Sequence, residues 1–521
     1  MNKNSVKEAL KRAETYLLSL KGEDLWGESS SSPYSTAWAL LAFLYSDSES
    51  AFDRARPAAE WLLSHQNSDG SWGSALRYHE KLIFTPYCLA ALLLHEKSRG
   101  KLPQLGRAVR NAQKFIRFST NVLQTLDSVV EMAYSRMHPA LWIAEQNDIP
   151  YLNRFDRFKV CNFPQDVIPE SSGICDEMIS LNFVLPYLVE SQDTELLKQL
   201  EKRQLPNGSW FCCVIDLTAL ALITLQLTDG DPHAVKKGYE YIGRSQNPDG
   251  GYPQFFPCEV FISTFVGFLT TEVYSRADVS IPSWISQCKE WILRKQNPSG
   301  SWSFTGEYPF GDIDDTSWAM LWLIKGCNTN TTNSSIKAGE KFILSSQNPD
   351  GGFPAWPDLN SDIDVTAHAL LILDILGESQ KTKDTIFEYL DRTQKDNGSW
   401  IPRWHHSPMY GTTQVVLGMK SYADTDVYRN ALQFLIETQQ DNGSWGTAEE
   451  TGLVLSALLT LPEAPSYKDT IKKGISYLIS SQNSDGSWDY KDLWIAECSY
   501  SSRPLAITPI VATLKAYSGL F

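Results

Sequence analysis

A short motif, Gln-x-x-x-Gly-x-aromatic, constrains the fold of this chain more than any other feature, because it occurs eight times. From Gln204 onward, the opening glutamines of successive motifs lie 42, 50, 51, 47, 45 and 43 residues apart. This period fits one helical hairpin per repeat, with Asn-Pro-Asp-Gly or Asp-Asn-Gly as the turn. The motifs open at Gln66, Gln204, Gln246, Gln296, Gln347, Gln394, Gln439 and Gln482.

Helical periodicity precedes the motifs, and strand signals are weak throughout the chain. Leu432, Leu435 and Ile436, for example, lead into Gln439 with helical spacing. We expect each motif glutamine to bond backbone at the start of the next helix and the aromatic ring to lie over the turn. The motifs then brace an all-helical α/α barrel and are not catalytic themselves.

The distribution of the motifs indicates more than one domain. The interval from Gln66 to Gln204 spans about three periods without a clear motif. Two α/α barrels are therefore predicted, with a boundary near residues 275–285, where Ser280-Ile281-Pro282-Ser283 interrupts the helical pattern. The first predicted helix, from Val6 to Leu20, could belong with either half.

Composition excludes several classes of function. The formal charge of −15 and the pI near 5.1 argue against nucleic acid as the main partner. A hydrophobic content of 42%, with 17 tryptophans, permits a large core. The opening residues lack the apolar core of a signal peptide, and no run of eighteen apolar residues is present. The nine cysteines include no CxxC pair, so reduced thiols and a cytoplasmic location are predicted.

The strongest candidate for chemistry is the stretch Gly311 to Trp318, in which Asp312, Asp314 and Asp315 place three carboxylates within four residues. Their mutual repulsion is expected to hold at least one of them protonated at neutral pH. The residues that follow predict a buried helix with the acids at its positive end. A helix-capping cluster or a calcium loop is the simpler alternative.

The acid stretch has an echo fifty residues later, Asp362-Ile363-Asp364-Val365-Thr366. We therefore interpret the aspartates at this position of a repeat as residues that first served as helix caps. Only one of the two copies is then expected to have a catalytic role.

Together these features resemble the class II terpene cyclases, the family of the squalene–hopene cyclases and the class II diterpene cyclases. The repeats are similar to that family's Gln-Trp repeats, and Asp312-Ile313-Asp314-Asp315-Thr316 matches its Asp-x-Asp-Asp-Thr acid motif. Asp364-Val365-Thr366-Ala367-His368 resembles the segment that carries the histidine paired with the acid. Arg403-Trp404 and Met409-Tyr410-Gly411-Thr412 resemble a segment that supplies cavity aromatics. The resemblance covers nearly the whole chain.

The resemblance implies an all-α fold of two α/α barrels, the β–γ domain architecture of terpene cyclases. Residues 1–20 and 281–521 would form the acid-bearing β domain, and residues 21–280 would form the inserted γ domain. The N-terminal helix would then join the C-terminal barrel.

Other stretches are more similar to the diterpene branch of the family. Ser32-Pro33-Tyr34-Ser35-Thr36-Ala37-Trp38 is similar to its Ser-x-Tyr-Asp-Thr-Ala-Trp signature, with Ser35 in place of the aspartate. Asp148-Ile149-Pro150-Tyr151 and the basic residues after it resemble a diphosphate-binding segment. Where that branch has an acidic, magnesium-associated cluster, this chain has only Leu126-Asp127-Ser128-Val129-Val130-Glu131. Mg²⁺ is therefore expected only together with a diphosphate, and no protein ligand for a metal is predicted.

The reaction that the resemblance implies is protonation of a terminal alkene, ring closure through carbocations and loss of a proton. Asp314 would be the neutral acid that protonates the alkene, while Asp312 and Asp315 keep its proton in place and orient it. His368 would bond the other oxygen of Asp314. Tyr410 could relay the proton that recharges the acid.

Substrate-binding residues are predicted from two kinds of side chain. Aromatic faces stabilise a carbocation without acting as bases. The aromatic candidates are Trp302, Trp318, Trp404 and Tyr410, with the last two preferred for their motifs. Basic side chains would hold an allylic diphosphate at the cavity mouth. The basic candidates, in order of preference, are Arg157, Arg154, Lys159 and Lys81.

No Asp-Asp-x-x-Asp or Asn/Asp-Asp-x-x-Ser/Thr-x-x-x-Glu motif occurs, so the product is expected to keep its diphosphate. A separate class I synthase or a phosphatase would then act downstream, and transient contact with a membrane surface is expected. The leading hypothesis is cyclisation of geranylgeranyl diphosphate to a bicyclic, labdane-type diphosphate. Cyclisation of farnesyl diphosphate to a drimane-type diphosphate and a squalene-type triterpene cyclisation are the alternatives. Protein prenyltransferases, glycoside-processing enzymes and helical-repeat binding scaffolds are the other classes of α/α toroid that we considered.

Overall fold

The computed structural model describes residues 3–22, 25–47, 50–123, 127–149, 184–211, 213–276, 280–496 and 498–520. Within these ranges the chain is mostly helical, and its strands are two pieces of two residues each, Trp494–Ile495 and Ser499–Tyr500. The predicted all-α class is therefore confirmed. Two compact units are present, the first formed by Met1–Glu28, Cys258–Ile495 and Ser501–Phe521 and the second by Ser29–Pro257 and Ala496–Tyr500.

The first unit, which we call the acid-bearing unit, is an α/α barrel. Its inner layer consists of six helices, each in contact with the next and the last in contact with the first. In ring order they are Glu259–Arg276, Ile313–Leu321, Ile363–Leu376, Pro408–Gly418, Ala448–Leu459 and Arg503–Leu520. We call Ile313–Leu321 the acid helix and Ile363–Leu376 the histidine helix.

The inner and outer helices differ in how much of their surface is apolar. The histidine helix is buried at ten consecutive positions, Asp364 to Leu373, as expected of an inner helix with neighbours on all sides. The outer helix that follows it buries only Ile386, Tyr389 and Leu390, which share one face. The outer layer comprises Lys3–Ser19, Ser283–Gln287, Lys289–Arg294, Ser334–Ser345, Gln380–Thr393, Asp426–Glu437 and Lys468–Ser480. Short 3₁₀ or π turns occupy Trp322–Gly326, Lys420–Tyr422 and Ala464–Tyr467.

The first residues of the inner helices meet at one end of the barrel. Phe261 N–H, at the start of one inner helix, donates to Phe304 O in the loop before the acid helix, at 3.2 Å. Ile313 N–H, at the start of the acid helix, donates to Ala355 O in the loop before the histidine helix, at 2.9 Å. Polar residues at successive helix starts are therefore brought to the same rim.

The repeat motifs form the braces that their sequence predicts. In every motif the glutamine Nε2 donates to the carbonyl of the motif glycine, as Gln394 does to Gly398 O at 3.0 Å. The same nitrogen also bonds the first turns of another helix, as Gln394 does to Val427 O at 2.9 Å. Each motif tryptophan donates from its indole N–H to a carbonyl ten residues earlier, such as Trp400 to Leu390 O at 2.9 Å. The expected bond to a helix start is formed, but not to the helix that directly follows: Gln394 skips the inner helix Pro408–Gly418 and bonds the outer helix after it, and Gln347 bonds the Thr385 hydroxyl.

Glycine is required in the motifs because the backbone has a positive φ angle and there is no room for a Cβ atom. Substitutions at these positions are therefore expected to lower the stability of the protein. Gly398 has a φ of 85°, and a Cβ there would lie 2.4 Å from Asn430 O. Gly377 has a similar φ of 77°, but nothing lies within 4 Å of its Cβ position. We expect Gly377→Ala to lower the free energy of unfolding by about 1 kcal/mol. Gly398→Ala is expected to lower it by about 2–5 kcal/mol, since a steric clash adds to the strain. Urea denaturation measures both, and equal losses would contradict the steric argument.

The second unit contains its own ring of helices. Within the described residues, five helices contact one another in ring order, namely Pro33–Tyr45, Tyr78–Arg99, Asp127–Gln146, Val184–Ser191 and Ile215–Leu227. The other helices in the described residues of this unit are Ser50–Ser64, Leu105–Leu123, Thr194–Lys202 and Pro232–Arg244. Over the part of the chain that the structure describes, no helix combines the length and the apolar content needed to cross a membrane.

The observed units differ from the predicted division into 1–20 with 281–521 and 21–280: the first segment of the acid-bearing unit extends to Glu28, and Ala496–Tyr500 belong to the second unit. The largest difference is the helix Glu259–Arg276, which packs against the acid helix and completes the inner ring, so the second segment of the acid-bearing unit begins at Cys258. Pro282, which suggested a boundary, instead precedes the short helix Ser283–Gln287 as its N-cap. Proline is common at helix starts, so this interruption marks a turn within one barrel.

Candidate active site

The three carboxylates of the acid stretch lie in different environments. Asp312 is the N-cap of the acid helix, and its Oδ1 accepts the Asp315 N–H at 2.7 Å. Asp312 and Asp315 are buried, with 3% and 4% of their surface exposed. The capping interpretation therefore holds for Asp312. Asp314 takes no part in capping, and its side chain is 17% exposed.

Asp314 is paired with the buried His368 of the histidine helix. Its Oδ1 lies 2.5 Å from His368 Nδ1, and His368 Nε2 lies 3.1 Å from Gln414 Oε1. Burial of the ring opposes its charged form, but Asp314 outweighs burial and the pKa of His368 is raised above its ordinary value. An imidazolium donates to both neighbours at once, to the carboxylate through Nδ1 and to the amide oxygen through Nε2. The sequence predicted the Asp314–His368 pair but not Gln414.

The buried carboxyls near this pair resist ionisation. Burial raises the pKa of Asp312 to about 7 and that of Asp315 well above its usual range. Charge repulsion was the predicted reason for a retained proton, but desolvation is the larger cause, and repulsion between Asp312 and Asp315 adds to it. Asp315 therefore keeps its proton at neutral pH, whereas Asp312 is about half ionised there.

Asp364, in the first turn of the histidine helix, is a member of the site that sequence reasoning missed. It is fully buried, and neither of its carboxyl oxygens has a hydrogen-bond partner within the described part of the chain. Burial first and the nearby Asp314 second raise its pKa to about 8. The echo of the acid stretch was the signal, but we interpreted it as capping. Asp362 occupies the N-cap position without a side-chain capping bond, and its Oδ2 instead accepts Trp404 Nε1–H at 3.2 Å.

Aromatic rings surround the Asp314–His368 pair. The Trp318 ring lies 4.1 Å from the His368 ring, centre to centre, and 5.5 Å from the ring of Phe265. Phe265 in turn lies 5.7 Å from Trp494. Phe265 and Trp494 escaped prediction because neither belongs to a motif, and only the closure of the barrel brings them to the acid.

The other predicted aromatics occupy distinct positions. Tyr410 is buried, and its ring stacks on His405 at 4.7 Å. Trp404 is half-buried and packs edge-on against Trp356 at 5.6 Å. Trp302 differs from the prediction, because it is fully buried and its indole N–H donates to Ile292 O at 2.8 Å. The motif tryptophans share this bond, so we place Trp302 with the structural braces.

The predicted diphosphate ligands fall mostly in a part of the chain that the structure does not describe. Arg154, Arg157 and Lys159 lie outside the described residues. Lys81 is described, and its Nζ pairs with Asp69 Oδ2 at 2.8 Å in the second unit. Among the described residues no three His, Cys, Asp or Glu side chains are grouped so as to hold a metal ion. Magnesium bound together with a diphosphate stays a prediction.

Comparisons with known proteins agree with this geometry. A family model described as "Prenyltransferase alpha-alpha toroid domain" matches residues 21–123 and 110–309. A second, described as "Squalene-hopene cyclase C-terminal domain", matches residues 358–497, which include His368. The solved ent-copalyl diphosphate synthase from Streptomyces platensis has the same fold, with a TM-score of 0.67 over 98% of this chain and 99% of that one, at 20% identity.

Two relatives differ in how much of their length is matched. Drimenyl diphosphate synthase from Streptomyces showdoensis is 24% identical over 62% of this chain, but the match spans only 63% of that protein. Type B diterpene cyclase from Mycobacterium tuberculosis is 23% identical over 96% of this chain and 98% of its own length. The toroid family model alone covers more than half of this chain, and the C-terminal model covers the histidine helix that faces the acid. The chain therefore belongs to the class II terpene cyclases.

Proposed function

We propose that this protein is a class II diterpene cyclase that converts geranylgeranyl diphosphate to a bicyclic, labdane-type diphosphate. The observation that carries the proposal is the 2.5 Å contact between Asp314 and His368, set among buried carboxyls and aromatic rings. The type B diterpene cyclase that aligns over 98% of its own length supports a twenty-carbon substrate.

Asp314 is the proposed general acid. An alkene is a very weak base, so its protonation needs a neutral carboxylic acid held against the double bond. The His368 imidazolium donates from Nδ1 to Asp314 Oδ1, which leaves Oδ2 to carry the proton that is delivered to the alkene. Gln414 fixes the ring from the other side by accepting the Nε2–H. Asp315 and Asp364, whose raised pKa keeps them protonated at neutral pH, do not quench the cation.

Aromatic rings then stabilise the carbocation. Trp318, Phe265 and Trp494 offer π faces, each of which is worth about 0.5–2 kcal/mol toward a nearby cation. Such faces do not accept a proton. The cation can therefore persist until the second ring has closed.

The diphosphate stays on the product in this proposal. Arg157, Arg154 and Lys159 remain the proposed ligands of its oxygens, with Mg²⁺ as an accompanying counter-ion. A class I synthase or a phosphatase would consume the product. The free prenyl substrate is amphipathic, so transient contact with a membrane surface is part of the proposal.

Cyclisation of farnesyl diphosphate to a drimane-type diphosphate is the second candidate. It is favoured by the 24% identity to a drimenyl diphosphate synthase, although that match spans 63% of the relative.

A substrate panel tests the proposal. Purified protein is incubated separately with geranylgeranyl diphosphate, farnesyl diphosphate and squalene, and the products are analysed by mass spectrometry with and without phosphatase treatment. We expect a bicyclic alcohol from geranylgeranyl diphosphate that becomes extractable only after phosphatase treatment. Preferred turnover of farnesyl diphosphate would favour the second candidate. A hydrocarbon formed from squalene, or no conversion of any of the three substrates, would overturn the proposal.

A further inference from the structure

The rim of the acid-bearing unit holds a second carboxylate, Glu449, on the side opposite Asp314. Glu449 lies in the first turn of the helix Ala448–Leu459. In the ring of six inner helices, this helix is three positions from the acid helix in either direction. Because the starts of the inner helices lie at one end of the barrel, the ring order places Glu449 and Asp314 on opposite sides of that end.

The two oxygens of Glu449 differ in their contacts. Trp494 Nε1–H donates to Oε1 at 2.8 Å, and His405 Nε2 lies 3.8 Å from the same atom. Ser407 N–H donates to His405 Nδ1 at 3.0 Å, so Nε2 lies on the side of Glu449 but is too far from it for a hydrogen bond. Glu449 is 2% exposed, and its Oε2 is buried without a hydrogen-bond partner among the residues that the structure describes.

The two oxygens of Glu449 can therefore play different parts. Oε1 is held by the indole N–H of Trp494, whereas Oε2 keeps its lone pairs available to accept a proton. A carboxylate oxygen that can take a proton is what the last step of a carbocation reaction requires.

A continuous set of aromatic rings connects the two sides. Starting beside His368, the rings of Trp318, Phe265 and Trp494 follow one another at centre-to-centre distances of 5.5 and 5.7 Å. Trp494 reaches Glu449 through its indole N–H. A cation formed at Asp314 therefore has aromatic π faces near it on the way to Glu449. No other carboxyl group near Asp314 and His368 needs to be ionised to stabilise it.

We propose that Glu449 is the base that ends the reaction, an inference that rests on the proposed cyclase function. Its Oε2 takes a proton from the carbon next to the cationic centre. The electron pair of the broken C–H bond becomes the new C=C bond, and the cation is neutralised. Trp494 acts as a positioning residue, since its indole N–H holds Oε1 and leaves Oε2 without that bond.

The position of Glu449 suits a base that removes the final proton. Ring closure moves the positive charge along the prenyl chain away from Asp314, and the helix that carries Glu449 lies opposite the acid helix in the ring. Another buried carboxylate of the unit, Glu272, cannot serve, because Lys420 and Lys325 neutralise it and its pKa is lowered to about 2. It lies near the far end of its helix, Glu259–Arg276.

The test compares Glu449→Gln with Glu450→Gln on the substrate that the wild type converts. Glutamine keeps an oxygen for Trp494 but removes the basic Oε2. We expect Glu449→Gln to consume substrate while forming the native alkene roughly 100-fold more slowly. The trapped cation should give hydroxylated or isomeric bicyclic diphosphates. Glu450 is fully bonded in the capping box with Thr447, so Glu450→Gln should change stability and leave the product unchanged.

Further variants keep the test decisive. Asp314→Asn should stop substrate consumption altogether, which separates loss of the acid from loss of the base. If Glu449→Gln does not fold, Glu449→Asp retains a carboxylate and should give the native alkene more slowly with some hydroxylated product. Native product at the wild-type rate from either Glu449 variant would overturn the inference while leaving the cyclase function intact. An inactive wild type would instead overturn the function itself.

Discussion

Asp314→Asn is expected to lower turnover of the prenyl diphosphate by at least about 1000-fold, because asparagine cannot deliver a proton to an alkene. The amide retains an oxygen that accepts the His368 Nδ1–H, and Asp314 is not the helix cap, so the fold should be kept. Single-turnover assays with product analysis measure the loss, and circular dichroism checks the fold.

The control for this variant is Asp396→Asn, which removes a carboxylate from an exposed turn of the same unit. It should match the wild type in both rate and product. Full activity in Asp314→Asn would show that the acid stretch serves only to start a helix, and the general-acid role of Asp314 would be wrong.

Asp364→Asn is expected to stabilise the protein at neutral pH. The pKa of Asp364 is raised to about 8 by burial, whereas an unfolded aspartate titrates near 4. Between these values the folded state retains a proton that the unfolded state has released, so rising pH favours unfolding. The native carboxyl thus costs about 4 kcal/mol of stability at pH 7. Asparagine has no proton to release, so the variant should gain about 2–4 kcal/mol at pH 7 and little at pH 4.

Urea denaturation of both proteins at several pH values between 4 and 9 measures this difference. The gain should grow up to about pH 8 and then level off. Asp396→Asn, at an exposed position, should follow the wild type at every pH. A gain that does not change with pH would mean that Asp364 keeps its charge in the folded protein.

The pairing of Asp314 with His368 could be predicted because each residue sits in a local motif with a family resemblance. Asp364 belongs to the same motif as His368, but its role depends on burial. An aspartate near a helix start is most often a capping residue, and no local pattern separates the two cases. The same holds for Glu449, whose position in a first helical turn is ordinary.

The helical hairpins of the fold could be predicted from the sequence, but the boundary between the two units could not. The period of the glutamine motifs specified helical hairpins and their braces, since each brace is a local turn plus one bond to another helix. The unit boundary was not specified, because the helix Glu259–Arg276 carries no motif of its own and is assigned only by its packing. Phe265 and Trp494 were missed for the same reason, as they meet only when the ring closes.

The last brace has a consequence for synthesis on the ribosome. Gln482 donates to Ala9 O at 3.0 Å, so the seam of the acid-bearing unit joins residues 473 positions apart. Val6, Ala9, Leu10, Ala13 and Leu17 form the buried face of the first helix. At 5–20 residues per second, this face stays uncovered on the nascent chain for roughly 25–95 s before its partners are translated. Chaperones that bind apolar helices during translation have that interval in which to protect it.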